Sequence, residues 1–246
     1  MPFPIDAATG QHIGDKDEQQ DRVAIYQSKR QRGTLLAVVA DGMGGRTGGA
    51  MAAGQAVSTA QQLFEAYSSV RETPETLLRS IIKDAHTAIR LSRYTSEQEP
   101  HSTVVALLLQ PERADWVHSG DSRLYHFRGR QFLSHTLDHS YVEQLYSEGK
   151  IRAEERQTHR QRNLLVSCLG GQEAPQMGMG GTVPLQGGDT FLLCTDGLWG
   201  YFSEGELGNT LAEDTPRQAA EKLVAEARVR ARGRGDNLSL IVIRLG

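Results

Sequence analysis

The chain has 246 residues, a formal net charge of −3 and two cysteines, Cys168 and Cys194. That length fits one large domain or two small ones and is enough to bury roughly 70–75% of the surface an unfolded chain exposes. The slightly acidic balance excludes a global basic field for nucleic acid or acidic membranes; two cysteines without a CxxC pair exclude a disulfide framework and a paired-cysteine zinc site.

No apolar stretch approaches the ~18 residues of a membrane span. The N-terminal MPFPIDAATG has neither a basic region nor an apolar core, so no signal peptide is expected and the reducing cytoplasm is the natural compartment. Val23–Tyr26 is strand-like and is preceded by Asp21. Leu35–Ala40 is a continuous apolar run ending in Asp41-Gly42, the pattern of a buried strand. Gly48 to Tyr67 is rich in Ala and Gln and reads as a helix. Thr73-Pro74-Glu75 opens a second helix, with Thr as N-cap and Pro at the first helical position. Its Leu78, Ile81, Ile82, Ala85 and Ile89 keep helical spacing on one apolar face.

Thr103–Leu109, Asp115–Ser119 and Leu124–Phe127 read as short strands separated by turns at 111–113 and 128–130. Ser140–Gly149 reads as a short helix. Residues 150–188 are rich in Arg, Gln and Gly and poor in periodicity, so they are expected to be irregular, a candidate flap. Phe191–Thr195 is a further buried strand in which Cys194 is a small core residue. Thr215-Pro216-Arg217-Gln218 has capping-box spacing and starts a helix running to about Arg232; the basic stretch from Arg228 to Arg234 reads as its solvated end. Leu238–Leu245 closes the chain as a strand. There is no internal repeat and no Pro/Ser-rich linker. Two sets of strands, a helical hairpin and a late helix predict an α+β fold, a layered αββα domain.

Four aspartates stand at the ends of such runs or beside glycine: Asp41 in VVADGMGG, Asp121 in HSGDSRLY, Asp196 in LLCTDGLWG and Asp236 in GRGDNLSLIVI. Asp-Gly and Gly-Asp are common turn pairs, and each alone is more often a turn than a ligand. Jointly they describe one acidic site assembled by folding from both halves of the chain, which favours a single domain over residues 1–246. Carboxylate oxygens suit hard divalent cations, and converging carboxylates can hold two cations about 3.5–4 Å apart. The eight histidines are scattered and form no HExxH. The segment DGMGGRTGG departs from GxGxxG at Thr47 and lacks the GK[ST] of a P-loop. Its glycines serve either a tight turn before the helix or the approach of the Gly42 carbonyl to a cation.

VVADGMGG, SGDSRLY, CTDGLW and GDNLSLIVI, in this order, resemble the metal-dependent serine/threonine protein phosphatases of type 2C, the PPM family. DGMGG, TLDHSYVEQLYSEGKI and RNLLVSCLGG are most similar to its bacterial branch. The resemblance runs from about Gly14 to the C-terminus. It implies a four-layer αββα sandwich, two antiparallel sheets flanked by helices, with two Mn²⁺ or Mg²⁺ ions at one edge. It implies that Asp41 bridges the ions, that the Gly42 carbonyl serves the second, and that Asp196 and Asp236 hold the first. Asp121, sharing Asp196, corresponds to a third, weaker ion, and Asp21 to a carboxylate contacting the site through water. Asn237 corresponds to a residue that orients Asp236.

The first motif departs from the family. It reads Lys16-Asp17-Glu18-Gln19-Gln20-Asp21, with Lys16 in place of a phosphate-gripping arginine and Gln20 in place of an acid. Lysine holds phosphate as a point charge, without a bidentate fork. Met43 stands where many eukaryotic members carry a histidine, and His139 is read as a local hydrogen-bonding residue. The implied reaction is hydrolysis of phosphoserine or phosphothreonine in proteins by a hydroxide bridging the two ions. The partners implied are phosphorylated proteins of a bacterial serine/threonine kinase, and a monomer is expected; Arg152, Arg156, Arg160 and Arg162 in the flap suit a phosphorylated partner, a charged solvent face being the default reading of such a set. The alternatives are a non-catalytic module keeping the fold and a phosphatase of a small phosphorylated molecule.

Overall fold

The structure, a computed structural model, describes residues 3–95 and 99–246, except the side chains of 45–47 and 95; Met1 and Pro2 of the N-terminal stretch lie outside it. One antiparallel sheet has the order β1 (Ile5–His12), β12 (Leu238–Leu245), β11 (Asp189–Cys194), β8 (Arg123–Arg128) and β9 (Gln131–His135). The other has the order β10 (Gly178–Thr182), β7 (Ala114–Ser119), β6 (Val104–Leu109), β3 (Leu35–Ala40) and β2 (Arg22–Gln27). A small pair joins β4 (Gly42–Met43) to β5 (His101–Ser102).

Strand alternation builds the layers. In β3, Leu35, Ala37 and Val39 join Val105, Leu107, Phe191, Leu193, Ile241 and Ile243 between the sheets. Leu36, Val38 and Ala40 face the other way, onto α1 (Gly45–Ala66) and α2 (Pro74–Ser92). On the far side Leu192, Cys194, Leu240 and Val242 pack against α4 (Asp196–Trp199), α5 (Glu204–Glu213) and α6 (Pro216–Ala231). The result is two antiparallel sheets flanked by helices. Central strands are covered on both faces, which is why they read as unbroken apolar runs. Each fully buried aliphatic side chain contributes about 1.5–3 kcal/mol. A core of this extent tolerates crowded carboxylates on the rim of the sheets.

The helix signals act as read. Thr73 Oγ1 accepts from the Thr76 N–H, Pro74 opens α2, and Leu78, Ile81, Ile82, Ala85 and Ile89 are buried. Thr215 and Gln218 close a reciprocal capping box on α6, and α3 (Tyr141–Ser147) is capped by Ser140. Helix α1 begins at Gly45, three residues before the expected Gly48, because Gly44 at φ 125° turns the chain directly into it.

The segment 150–188 is not irregular throughout. After the short 3₁₀ turn Ala153–Glu155, its Gly178–Thr182 forms strand β10 on the edge of the second sheet, paired with β7. The sequence GMGGT hides this strand because neighbouring rings forbid side chains at two of its positions, 178 and 180. A β-carbon on Gly178 would lie 1.9 Å from His118 Cε1, and one on Gly180 would lie 2.5 Å from Trp116 Nε1. The glycines let the backbone rest directly on those rings.

Candidate active site

The antiparallel order brings the marked aspartates to one rim. Asp41 follows β3, and Asp21 immediately precedes β2, whose Arg22 pairs with Ala40. Asp121 lies in the turn between β7 and β8, whose Arg123 pairs with Cys194 of β11. Asp196 follows β11, and Asp236 stands just before β12, whose Leu240 also pairs with Cys194. The two sheets meet here through Thr195 Oγ1, which donates to Asp21 Oδ2 at 3.0 Å, and through Trp199 Nε1, which donates to the Asp121 carbonyl at 2.9 Å.

The backbone around each corner is tied down. The Asp41 carbonyl accepts from Thr103 N at 2.9 Å and from Ser102 Oγ at 3.0 Å, while Asp41 N donates to Thr103 Oγ1. Thr103 Oγ1 is 2.6 Å from Ser122 Oγ, which links the Asp41 corner to the Asp121 turn. Gly42 is pressed between α1 and the first motif: a β-carbon there would meet the Gly49 carbonyl at 2.0 Å and the Gln20 carbonyl at 2.7 Å. Only glycine permits that approach.

The first motif is stapled to the start of β12. Asn237 Nδ2 donates to the carbonyls of Ile13 and Glu18, and its Oδ1 accepts from Gln20 N at 2.7 Å. Asn237 therefore orients Asp236 only through its backbone N–H, 2.7 Å from Asp236 Oδ1; its side chain holds the segment that carries Lys16. Lys16 Nζ lies 2.9 Å from both carboxylate oxygens of Asp236, a pair half open to solvent.

The charge balance of this rim is one-sided. Asp236 is paired with Lys16, and Asp138 with Arg123, but among the described residues no ion pair serves Asp21, Asp41, Asp121 or Asp196. Burial and the charges of Asp21, Asp196, Asp121 and Asp236 push the Asp41 carboxyl well above its ordinary range. Asp121 is raised by burial and by Asp196 and Asp138. Burial first, then Asp236, raises Asp196 to about 6. Asp21 is fully buried and raised to about 7, against the opposing hydrogen bonds from Ser239 and Thr195. Its Oδ1 has no hydrogen-bond partner among the described residues. The side chains converge without closing: among the described residues no three His, Cys, Asp or Glu form a compact metal-holding group. Crowded carboxylates of one sign raise one another's pKa in this way, and hard cations with oxygen ligands are the chemical complement of such a set.

The model of the family described as protein phosphatase 2C matches residues 10–228. The chain belongs to the protein phosphatase 2C family. Protein phosphatase PhpP of Streptococcus pneumoniae is 29% identical over 207 residues, 83% of each chain. Among solved structures, serine/threonine phosphatase Stp1 from Staphylococcus aureus superposes with a TM-score of 0.89 at 26% identity, covering 99% of this chain and 96% of that one. The catalytic domain of the serine/threonine protein phosphatase PstP, solved in complex with two manganese ions, gives a TM-score of 0.79 at 25% identity, with 98% of each chain covered. As a protein phosphatase 2C member the chain is a serine/threonine protein phosphatase, a hydrolase acting on phosphoproteins, and enzymes of this type are metal-dependent.

In this phosphatase His139 has the structural role read from its sequence context. Its Nδ1 accepts from Gly120 N, its ring stacks on His118 at 4.6 Å, and burial with the neighbouring His118 lowers its pKa to about 4. Sequence reasoning passed over Asp138, Thr195 and Ser239. Asp138 grips Arg123 with both oxygens at 2.7 Å. Thr195 and Ser239 line the buried side of Asp21. A signal existed for the first: Arg123 opens a strand whose next four residues, Leu124 to Phe127, are apolar or aromatic, and it needs a carboxylate partner if it is to be buried.

Proposed function

We propose that the rim hydrolyses phosphoserine and phosphothreonine esters with two divalent cations, Mn²⁺ or Mg²⁺, held by Asp41, the Gly42 carbonyl, Asp196 and Asp236. Asp21 stands behind them, and Asp121 shares Asp196 at a third, weaker position. The observation that carries this reading is the set of four carboxylates, Asp21, Asp41, Asp121 and Asp196, without an ion-pair partner among the described residues, one of them with a buried oxygen that none of those residues satisfies. The donors are all oxygens, which fits hard cations rather than zinc or copper. When bound, such cations supply ionised water as nucleophile and neutralise charge on the phosphoryl oxygens.

The chain's own groups divide the remaining tasks. The Asp41 backbone is anchored by Thr103 and Ser102, which fixes the position of this corner on the rim. No thiol competes as nucleophile: Cys194 is buried in the core, and burial raises Cys168 above its ordinary value. Lys16 binds a phosphoryl oxygen as a point charge. Its half-exposed ion pair with Asp236 is worth only about 0–1 kcal/mol, so exchange for substrate is easy. Residues 150–175, with Arg152, Arg156, Arg160 and Arg162, meet the protein substrate, and Arg156 anchors the segment by pairing with Glu143 over the Tyr146 ring. The substrates are phosphoproteins made by an opposing serine/threonine kinase in the cytoplasm, and residues 1–246 act as one catalytic domain; among the described residues no helix is long and apolar enough to cross a membrane.

Lys16→Ala tests the substrate contact. A charge-assisted hydrogen bond is worth about 1.5–3 kcal/mol, and exposure places this one at the low end. The KM for a phosphothreonine peptide should rise about tenfold with kcat little changed. An unchanged KM in steady-state kinetics excludes Lys16 from substrate binding.

A further inference from the structure

Asp121 and Asp196 come from different places: one from the turn that leads from the second sheet into the first, the other from the start of α4. The β8–β11 ladder ends at the Arg123–Cys194 pair, two residues from each aspartate, and beyond it a stack of three side chains links the two segments. Trp199, almost one helical turn after Asp196, donates its indole N–H to the Asp121 carbonyl at 2.9 Å. The Arg123 guanidinium lies over the Trp199 ring, 3.6 Å from its centre. Asp138 holds that guanidinium with both oxygens at 2.7 Å, and the Tyr125 hydroxyl accepts from it at 2.9 Å. This ion pair is not a surface pair: the side chains are 19% and 8% exposed. The next residue, His139, closes the bracket by exchanging two hydrogen bonds with Gly120, at 2.9 and 3.2 Å.

We propose that the Asp138–Arg123–Trp199 stack is a positioning clamp that sets Asp121 against Asp196 so that the two carboxylates serve one cation. This rests on the reading that Asp121 and Asp196 hold a cation together. Two carboxylates sharing a basin repel one another, and beyond the end of the β8–β11 ladder the turn bearing Asp121 needs a further tie to α4 to stay against it. Trp199 supplies that tie. A planar guanidinium gripped by a carboxylate on one side and stacked on an indole face on the other is a rigid arrangement that lysine cannot reproduce. None of the three residues reaches the reacting atoms; they act through Asp121 and Asp196.

The test is a calorimetric Mn²⁺ titration of the full chain, comparing wild type, Trp199→Phe and Asp121→Asn. Phenylalanine keeps a ring beneath Arg123 and removes only the donor. Support groups behind metal ligands typically change affinity by 10–100-fold. Trp199→Phe should therefore weaken the weakest class of Mn²⁺ sites by about tenfold, leave the tighter class unchanged and keep the wild-type circular dichroism spectrum. Arg123→Lys, which keeps the charge and loses the fork, should weaken the same class, and it decides the matter if Trp199→Phe does not fold. Loss of the weak class in Asp121→Asn with a wild-type isotherm in Trp199→Phe overturns the clamp while leaving the cation reading intact. A wild-type isotherm in Asp121→Asn overturns that reading and the clamp with it.

Discussion

Asp41→Asn is expected to reduce kcat for a phosphothreonine peptide by at least about 1,000-fold, which corresponds to about 4 kcal/mol of lost transition-state stabilisation. Asparagine has the shape of aspartate, and the bonds that hold this corner involve the backbone: Thr103 N and Ser102 Oγ to the Asp41 carbonyl, and Asp41 N to Thr103 Oγ1. None of these is altered by the substitution, so the fold should survive. What is lost is the negative charge at the most crowded point of the rim, where Asp21, Asp196, Asp121 and Asp236 all act on one carboxyl. Phosphate monoesters are among the slowest esters to hydrolyse unaided, and most of the acceleration must come from concentrated positive charge at the phosphoryl group. A centre that holds such charge depends on the carboxylate facing all the others. Activity within tenfold of wild type, with an unchanged near-UV circular dichroism spectrum, would remove Asp41 from the central position.

The second large effect is on stability. Asp21 is fully buried and its pKa is raised from 3.8 to about 7, first by burial and then by Asp196 and Asp236. A carboxyl raised above its unfolded value costs stability once the unfolded chain ionises. The cost is absent below about pH 4, grows as pH climbs to about 7, and is constant beyond. A shift of this size is worth about 4 kcal/mol at most, and about 2–4 kcal/mol when neighbours share it. Asparagine can still accept from Thr195 and carries no charge. In chelator at pH 8, Asp21→Asn should therefore melt about 5–10 °C above wild type, and the difference should vanish near pH 4. Saturating Mn²⁺ should narrow it, because a cation that binds only the folded chain stabilises wild type by mass action. Scanning calorimetry across this pH range measures it; coincident melting temperatures at pH 8 would mean that Asp21 carries no such burden. The site, on this account, trades stability for function, with the three apolar layers supplying the difference.

The parts of the fold legible in the sequence are those whose pattern is local. β3, β6, β11 and β12 are buried on both faces and announce themselves as apolar runs. α2 and α6 carry their own caps and spacing. The parts that escaped are edges. β1, IDAATGQH, and β9, QFLSH, hold no continuous apolar run, and their strand character comes from the neighbours they pair with. β10 has glycine at 178 and 180 because His118 and Trp116 occupy the space of side chains there. α5, EGELGNTLAE, contains two glycines and is held by the Ser203–Glu206 capping box and by burial of Leu207 and Leu211.

The site divides in the same way. The aspartates at strand ends were visible because a strand followed by Asp-Gly is a local signature. Their meeting on one rim is a consequence of antiparallel order, and Thr195 and Trp199 acquire meaning only through partners 174 and 78 residues away. Lys16 shows both sides. Its place in the first motif is what proposes it as a phosphate contact, by resemblance to the family, but its ion pair with Asp236, 220 residues away, was not readable.

The central claim is that a cation-loaded carboxylate rim performs the hydrolysis. It is tested most directly by following phosphate release from a phosphothreonine peptide in Mn²⁺, after addition of EDTA, and after Mn²⁺ is restored in excess. Turnover is expected in the first state, loss to background in the second and recovery in the third. Equal rates with and without the chelator would contradict it.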